Sequence, residues 1–244
     1  MPRVRVGTSG WYYDHWVGPV YPEGMQPEDM LAEYARSFGT VEINSTFYGL
    51  PEAESVAEWY DSTPAGFLFS CKASRYMTHM KKLKDPKEPL DRFFASIAPL
   101  KEKLGPILVQ LPPRWRANPE RLETFLEAAP RDYRYAFEFR DETWFDDAVY
   151  DVLRRYGAAC CIFDYAGTES PAMITGPTVY VRLHGPAGAY EGSYDDETLA
   201  TWAERIENWR SDGHDVYCYF DNDQNGYAAA NASRLLSMLD QADQ

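Results

Sequence analysis

Eight short runs of β-branched, aromatic and aliphatic residues recur along the chain. They are RVRVG (3–7), TVEIN (40–44), FLFSCK (67–72), ILVQL (107–111), YAFEFR (135–140), AACCIFD (158–164), VYVRLHG (179–185) and VYCYFDN (216–222). Each has the length and composition of a strand. Most of the intervals carry a helical period instead. Leu31, Tyr34, Ala35 and Phe38 share one face of 28–38, and Val149, Val152, Leu153 and Tyr156 share one face of 146–156. Asn118 and Pro119 read as the cap and first residue of a helix over 119–128. Two more helices are expected over 196–210, through Leu199, Trp202, Ile206 and Trp209, and over 227–239, through Leu235, Leu236 and Leu239.

Two intervals depart from this rhythm. Pro99 interrupts the apolar pattern between Pro89 and Leu104 and predicts a kink or two shorter helices. The span from Ala166 to Pro177 is short, holds two prolines and two glycines, and predicts no full helix. Strands alternating with helices argue for parallel βαβ units. Eight such units in 244 residues predict an α/β fold, a single-domain TIM-type (β/α)8 barrel over 1–244, with one helix short or missing after the sixth strand. A doubly wound open sheet is the rival, but no G-x-G-x-x-G or G-x-x-x-x-G-K-[ST] stretch is present.

All eight runs carry polar or ionisable residues at or next to their ends. Residues two apart on a strand share a face, and Glu42/Asn44, Ser70/Lys72, Glu138/Arg140 and Arg182/His184 all show that spacing among apolar neighbours. Val41, Ile43, Phe69, Cys71, Phe137, Phe139, Val181 and Leu183 would then face the helices, leaving the charged set for the barrel mouth. A buried charge needs a partner, so one such pair is compatible with a structural salt bridge. Four pairs on four strands point to a site.

Charge and cysteines set limits. The formal net charge of −14, from 38 acids against 24 bases, disfavours duplex nucleic acid and acidic membranes as partners. It leaves the inside of a pocket free to be basic. Cys71, Cys160, Cys161 and Cys218 lie in apolar runs without a C-x-x-C pair, and Cys160 and Cys161 would point to opposite faces. Buried reduced thiols, no signal peptide and no apolar run of spanning length give an expectation of a cytoplasmic protein. The oligomeric state is left open.

GTSGW (7–11), EINSTFY (42–48), CKASRYMTHMKKL (71–83), QLPPRW (110–115), EFRDETWF (138–145), YVRLHG (180–185) and YFDNDQNGYAAANA (219–232) appear in that order. In these blocks the chain resembles the YecE-like proteins, domain-of-unknown-function family 72, over nearly its whole length. The resemblance implies a TIM-barrel-like fold and brings no established reaction. Many relatives carry histidine directly after the arginine of the fifth-strand block, where Asp141 stands here, which argues against a proton-transfer or metal role at that position.

The residues themselves suggest an enzyme for a small phosphorylated or carboxylated substrate. Arginine binds carboxylate and phosphate through its fork, and lysine adds a point charge. Glu42 or Glu138 is expected as general base, with His184 or Lys72 as acid or electrophile. Trp11, Asn44, Tyr48, Gln110, Arg140, Trp144, Asp164, Arg182, Asp221 and Asn222 are expected to bind substrate, and the helix after DNDQNG (221–226) offers amides to an anion. Tyr12 and Trp115 could also wall the site. No cofactor is expected. Three alternatives stand beside this reading. A divalent metal would use Glu42, Asp164, His184 and Asp221, against four nearby cations. A glycosidase would need Glu42 and Glu138 at a suitable separation. A non-catalytic protein would bind a small anion, a nucleotide or a single-stranded nucleic-acid end. His79, in RYMTHMKK, belongs to a loop over the mouth or to a solvated basic loop.

Overall fold

The computed structural model describes residues 2–242. Strands and helices alternate along it, as an α/β fold requires. One five-stranded sheet runs β1 (Val4–Thr8), β10 (Asp215–Phe220), β9 (Thr178–Leu183), β7 (Ile162–Tyr165), β8 (Thr168–Glu169). The other runs β2 (Thr40–Ile43), β3 (Leu68–Lys72), β4 (Leu104–Gln110), β5 (Tyr135–Glu138), β6 (Ala159–Cys160). The strands pair in parallel except for the β7–β8 hairpin.

The expected sixth strand, 158–164, is divided. Its first half pairs with β5 and its second with β9, with Cys161 at the break. The cause is local competition for amides. Thr175 Oγ1 accepts from the Cys160 amide and Ser170 Oγ from the Phe163 amide, each at 2.9 Å. Loop hydroxyls thus take hydrogen bonds that a ladder neighbour would otherwise fill. The Cys161 amide still donates to Phe137 O at 2.8 Å. On the other side, Ser9 bridges Glu42 in parallel, and the Gly10 amide donates to Glu42 O at 2.7 Å.

The helices are α1 (Pro27–Ser37), α2 (Ser45–Tyr48), α3 (Ala53–Asp61), α4 (Lys87–Ile97), α5 (Pro119–Ala128), α6 (Asp147–Tyr156), α7 (Asp196–Ser211) and α8 (Tyr227–Ala242). Asn118 caps α5, its side chain accepting from the Arg121 amide at 2.8 Å. Helix α4 stops before Pro99 and passes into a 3-10 turn, Ala98–Lys103. Between Ala166 and Pro177 there is the short β8 and no helix.

Two apolar clusters separate the faces of the strands. The large one joins Val41, Ile43, Phe69, Cys71, Phe137, Phe139, Val181 and Leu183 to the helices. The small one holds Leu108, Ala136, Ala159, Cys161, Tyr180, Tyr217 and Tyr219. Cys160 belongs to the first and Cys161 to the second, as strand alternation requires. All four cysteines are free and buried. Among the described residues no helix is long and apolar enough to cross a membrane.

Candidate functional site

Alternation along β9 puts Tyr180, Arg182 and His184 on one face, and Arg182 becomes the centre of a buried ionic network. It is fully buried. Its Nη2 donates to Glu42 Oε1 at 2.7 Å and Asp221 Oδ2 at 2.8 Å, with Ser9 Oγ at 3.3 Å. Its Nη1 donates to Glu138 Oε2 at 2.7 Å and faces His184 Nε2 at 3.2 Å. Its Nε lies 3.1 Å from both Glu42 oxygens. Every N–H of the guanidinium is therefore engaged. The Glu42 carboxylate also receives Ser9 Oγ and, at 2.6 Å, the Tyr180 hydroxyl. Glu138 Oε1 receives Gln110 Nε2 at 2.9 Å and the Arg140 guanidinium.

Burial alone would raise the carboxyls of Glu138 and Asp221, but the neighbouring cations and hydrogen-bond donors win. Arg140 and Arg182 hold Glu138 well below the usual carboxylate range, and Arg182 and His184 hold Asp221 below it. Reciprocally, burial would lower Arg182, and Glu42, Glu138 and Asp221 raise it well above its ordinary value. The donors around His184 assign its tautomer. Nε2 lies 2.9 Å from Arg140 Nη2 and 3.2 Å from Arg182 Nη1, and guanidinium nitrogens only donate. Nε2 must therefore be the lone pair, which leaves the ring proton on Nδ1, 3.0 Å from Asp221 Oδ2.

Lys72, at the end of β3, is treated differently. It is buried, yet its Nζ has neither a hydrogen bond nor a carboxylate oxygen within 4.0 Å among the described residues. The ammonium sits 4.6 Å from the centroid of Phe47. Burial lowers its pKa, followed by the Arg182 charge, against more distant help from Glu138, Glu42 and Asp221. His79 packs edge-on against the same Phe47 ring, centroids 4.9 Å apart, within a π-helical turn over Tyr76–Met80. Thr78 Oγ1 spends its proton on Ser74 O at 2.9 Å, so it accepts from His79 Nδ1, also at 2.9 Å. That assignment makes His79 Nε2 a free lone pair. Burial first, then Lys72 and Arg75, push His79 down to about 4.

Aromatic rings roof the network. Tyr165 and Tyr190 lie edge-on to His184, each with centroids 5.6 Å away. The Arg140 guanidinium lies over Phe163 and Tyr165 at 4.9 and 4.7 Å. A cavity of about 860 Å³ opens to one side of the network, between the ends of β1 and β2 and helices α1 and α3. Trp11, Tyr12, Glu28, Asn44, Glu58 and Trp59 contribute to its walls, so it is aromatic and acidic.

A family model described as "Protein of unknown function DUF72" matches residues 5–244. The chain belongs to that family. UPF0759 protein YunF of Bacillus subtilis (strain 168) is 26% identical over 270 residues, covering 97% of this chain and 95% of the relative. UPF0759 protein YecE of Escherichia coli (strain K12) is 29% identical over 145 residues, 58% of this chain and 50% of the relative. Among solved structures, a DUF72 family protein of Thermotoga maritima MSB8 is 32% identical, with 98% of this chain and 99% of that one covered at a TM-score of 0.87. One from Enterococcus faecalis V583, 23% identical with 98% of each chain covered and a TM-score of 0.81, shares the fold.

In this DUF72 protein the strand-end residues sort into three groups. Glu42, Gln110, Glu138, Arg140, Arg182, His184 and Asp221 form the network, and Asn44 joins it by donating to Ser9 Oγ. Lys72 stands beside it without a bond. Several of the residues, two network members among them, differ from the sequence expectation. Arg182 was expected to bind substrate, but it is wholly enclosed and has no donor to spare. His184 has no proton on Nε2 to give as an acid. Asn222 is buried and donates to Gly192 O and Asn231 Oδ1, bracing the loop before α7 against α8. Trp144 is core rather than wall, stacked on Phe139 at 5.0 Å and donating to Trp115 O at 2.6 Å. Tyr48 is 81% exposed on the outer side of Phe47. Trp11 faces the side cavity, edge-on to Trp59 at 5.4 Å.

Asp164 lies beside Tyr194, where burial raises its carboxyl, and its Oδ1 has no hydrogen-bond partner among the described residues. The expected anion site before α8 is interrupted by a 3-10 turn, Gln224–Gly226, and flanked by Asp223. Tyr180 and Ser9 are network members that the candidate set omits. Tyr180 shares the parity of Arg182, and that signal would have found it.

Proposed function

We propose that this DUF72 protein is an enzyme for a small phosphorylated or carboxylated substrate, working by general acid/base chemistry at the C-terminal mouth of a single (β/α)8 barrel. The barrel reading draws support from two seams between the sheets. Ser9 bridges Glu42 at one, and the divided sixth strand pairs with both sheets at the other. The observation that carries the functional reading is the contrast in spare donors. Arg182 has none, whereas Lys72 Nζ has no hydrogen-bond acceptor and Arg140 Nη1 donates to nothing among the described residues. Those two cations are the groups available to an incoming anion.

The base moves accordingly. Glu42 and Glu138 have their oxygens filled by cationic, hydroxyl and amide donors, which makes them supports for Arg182. Lys72 and His79 pack on the same Phe47 ring, so Lys72 serves as acid or electrophile and His79 Nε2, a free lone pair, relays protons to and from the site. The metal-assisted alternative loses the Glu42 and Asp221 oxygens to Arg182. Among the described residues, no group of three or more His, Cys, Asp or Glu is placed to hold an ion.

Thermal shift with inorganic phosphate and malonate tests the reading. A ligand at a hundredfold excess over its Kd stabilises the fold by about 2.7 kcal/mol, and Arg140→Gln should weaken that response about tenfold or more. An unchanged melting point with both anions, or an equal response in the variant, would remove the mouth as an anion site.

A further inference from the structure

We propose that Lys72 is a nucleophile that forms an imine with a small carbonyl compound carrying a carboxylate, of the 2-oxo acid class, held at the mouth. The carboxylate part rests on the anion-binding reading above, and the covalent part rests on Lys72 and His79 themselves.

An imine-forming lysine needs an amine that is not tied up in hydrogen bonds, a means of losing its proton, and a group that can return one. Lys72 meets the first condition, because its Nζ has no hydrogen-bond acceptor among the described residues and lies over the Phe47 ring. The second follows from burial and from Arg182, which favour the neutral amine. His79, on the edge of the same ring with Nε2 unprotonated, meets the third. The π-helical turn that carries His79 is an irregularity found often at functional positions. Lys72 is only 9% exposed, so the opening favours a short substrate over a long one.

The step balances. The Lys72 ammonium gives its proton to water. The amine lone pair then attacks the carbonyl carbon, forming the C–N bond while the carbonyl π pair moves to oxygen. Transfer of a proton from nitrogen to that oxygen gives a neutral carbinolamine. With the lysine charge gone, that proton returns from solvent through His79 Nε2 to the hydroxyl, which leaves as water, and the nitrogen lone pair closes the iminium. An ammonium and a ketone or aldehyde become an iminium and one water, with the positive charge conserved and no redox partner required.

Incubating the full chain with glyoxylate and cyanoborohydride, followed by peptide mapping, tests this directly. Lys72 should be alkylated about tenfold faster than the surface lysines. Lys72→Arg should abolish that fast phase with its melting point retained, and His79→Asn should slow it about tenfold. Lys72 left unmodified, or modified at the surface rate, overturns the proposal. If phosphate stabilises the fold while glyoxylate spares Lys72, the imine fails and the anion site stands. If acetaldehyde labels Lys72 as fast as glyoxylate does, the nucleophile stands and the carboxylate requirement fails.

Discussion

Lys72 and Lys103 are both buried, and they occupy opposite kinds of site. Lys103 closes the turn after α4, where its Nζ donates to Tyr60 O, to Thr63 O at 2.7 Å and to Thr63 Oγ1 at 3.1 Å. Its ammonium also lies 4.2 Å from the Tyr60 ring. The carbonyls it serves lie at and just beyond the C-terminal end of α3, where unsatisfied oxygens favour a cation. Burial lowers the pKa of both lysines, so that shift alone does not tell them apart. The acceptors do. Lys103 is spent on holding α3, whereas Lys72 is kept out of the ion pairs that surround it.

The contrast can be broken by substitution, and the largest effect belongs to neither lysine. Arg182→Met leaves the carboxylates of Glu42, Glu138 and Asp221 buried without their shared cation. It should cost about 3–5 kcal/mol in urea unfolding. A loss below about 1 kcal/mol would mean that the network does not hold the sheets together.

Lys103→Met should cost about 1–3 kcal/mol, because it strands three acceptors. A neutral result would put Lys103 in the same class as Lys72.

The third test is a pH titration. His79 is held down to about 4 from an ordinary 6.5, so between those values the unfolded chain binds a proton that the folded chain refuses. Stability is full above pH 6.5 and falls as pH drops toward 4. His79→Asn should flatten that window. Glu138 and Asp221, both depressed, contribute stability that is lost at lower pH, as their folded-state carboxyls protonate. A window unchanged by His79→Asn would show that the imidazole is not the group responsible.

The smallest effect is expected at Lys72 itself. Lys72→Met removes a buried charge that has no direct partner and should change stability by less than about 0.5 kcal/mol. A loss as large as that of Lys103→Met would reveal a hidden structural bond.

Much of this was legible beforehand. Strand alternation told which side chains share a face, so Glu42, Glu138 and Arg182 could be grouped from spacing alone. Asn118 followed by Pro119 marked the start of α5, and the prolines and glycines of 166–177 ruled out a helix. Depth was not legible. Parity does not distinguish an arginine at the rim from one wrapped by carboxylates from β2 and β5 and from the end of β10, and Arg182 proved to be the second. The division at Cys161 depends on Thr175 and Ser170 hydroxyls arriving from a later loop. An aromatic just past a strand end can wall a mouth or fill the core, and Trp144 stacks on Phe139 because of its neighbours rather than its position. His79 carried no signal of its role until Thr78 and Phe47 fixed its ring.

The strand pairing also has a consequence for the order of events during synthesis. The β2–β6 sheet uses one continuous stretch of chain, whereas β1 pairs with β10, Val4 against Val216. β1 leaves the ribosome long before β10 and must therefore wait for it. Glu42 and Glu138 emerge before Arg182 and have to keep their water until it arrives, so the early sheet cannot dry completely on its own. Non-local pairing of this kind slows folding. Pulse-labelled hydrogen exchange during refolding should find the amides of Val41 and Phe137 protected before that of Val6. Simultaneous protection of all three would mean that the two sheets assemble as one, with Arg182 already in place.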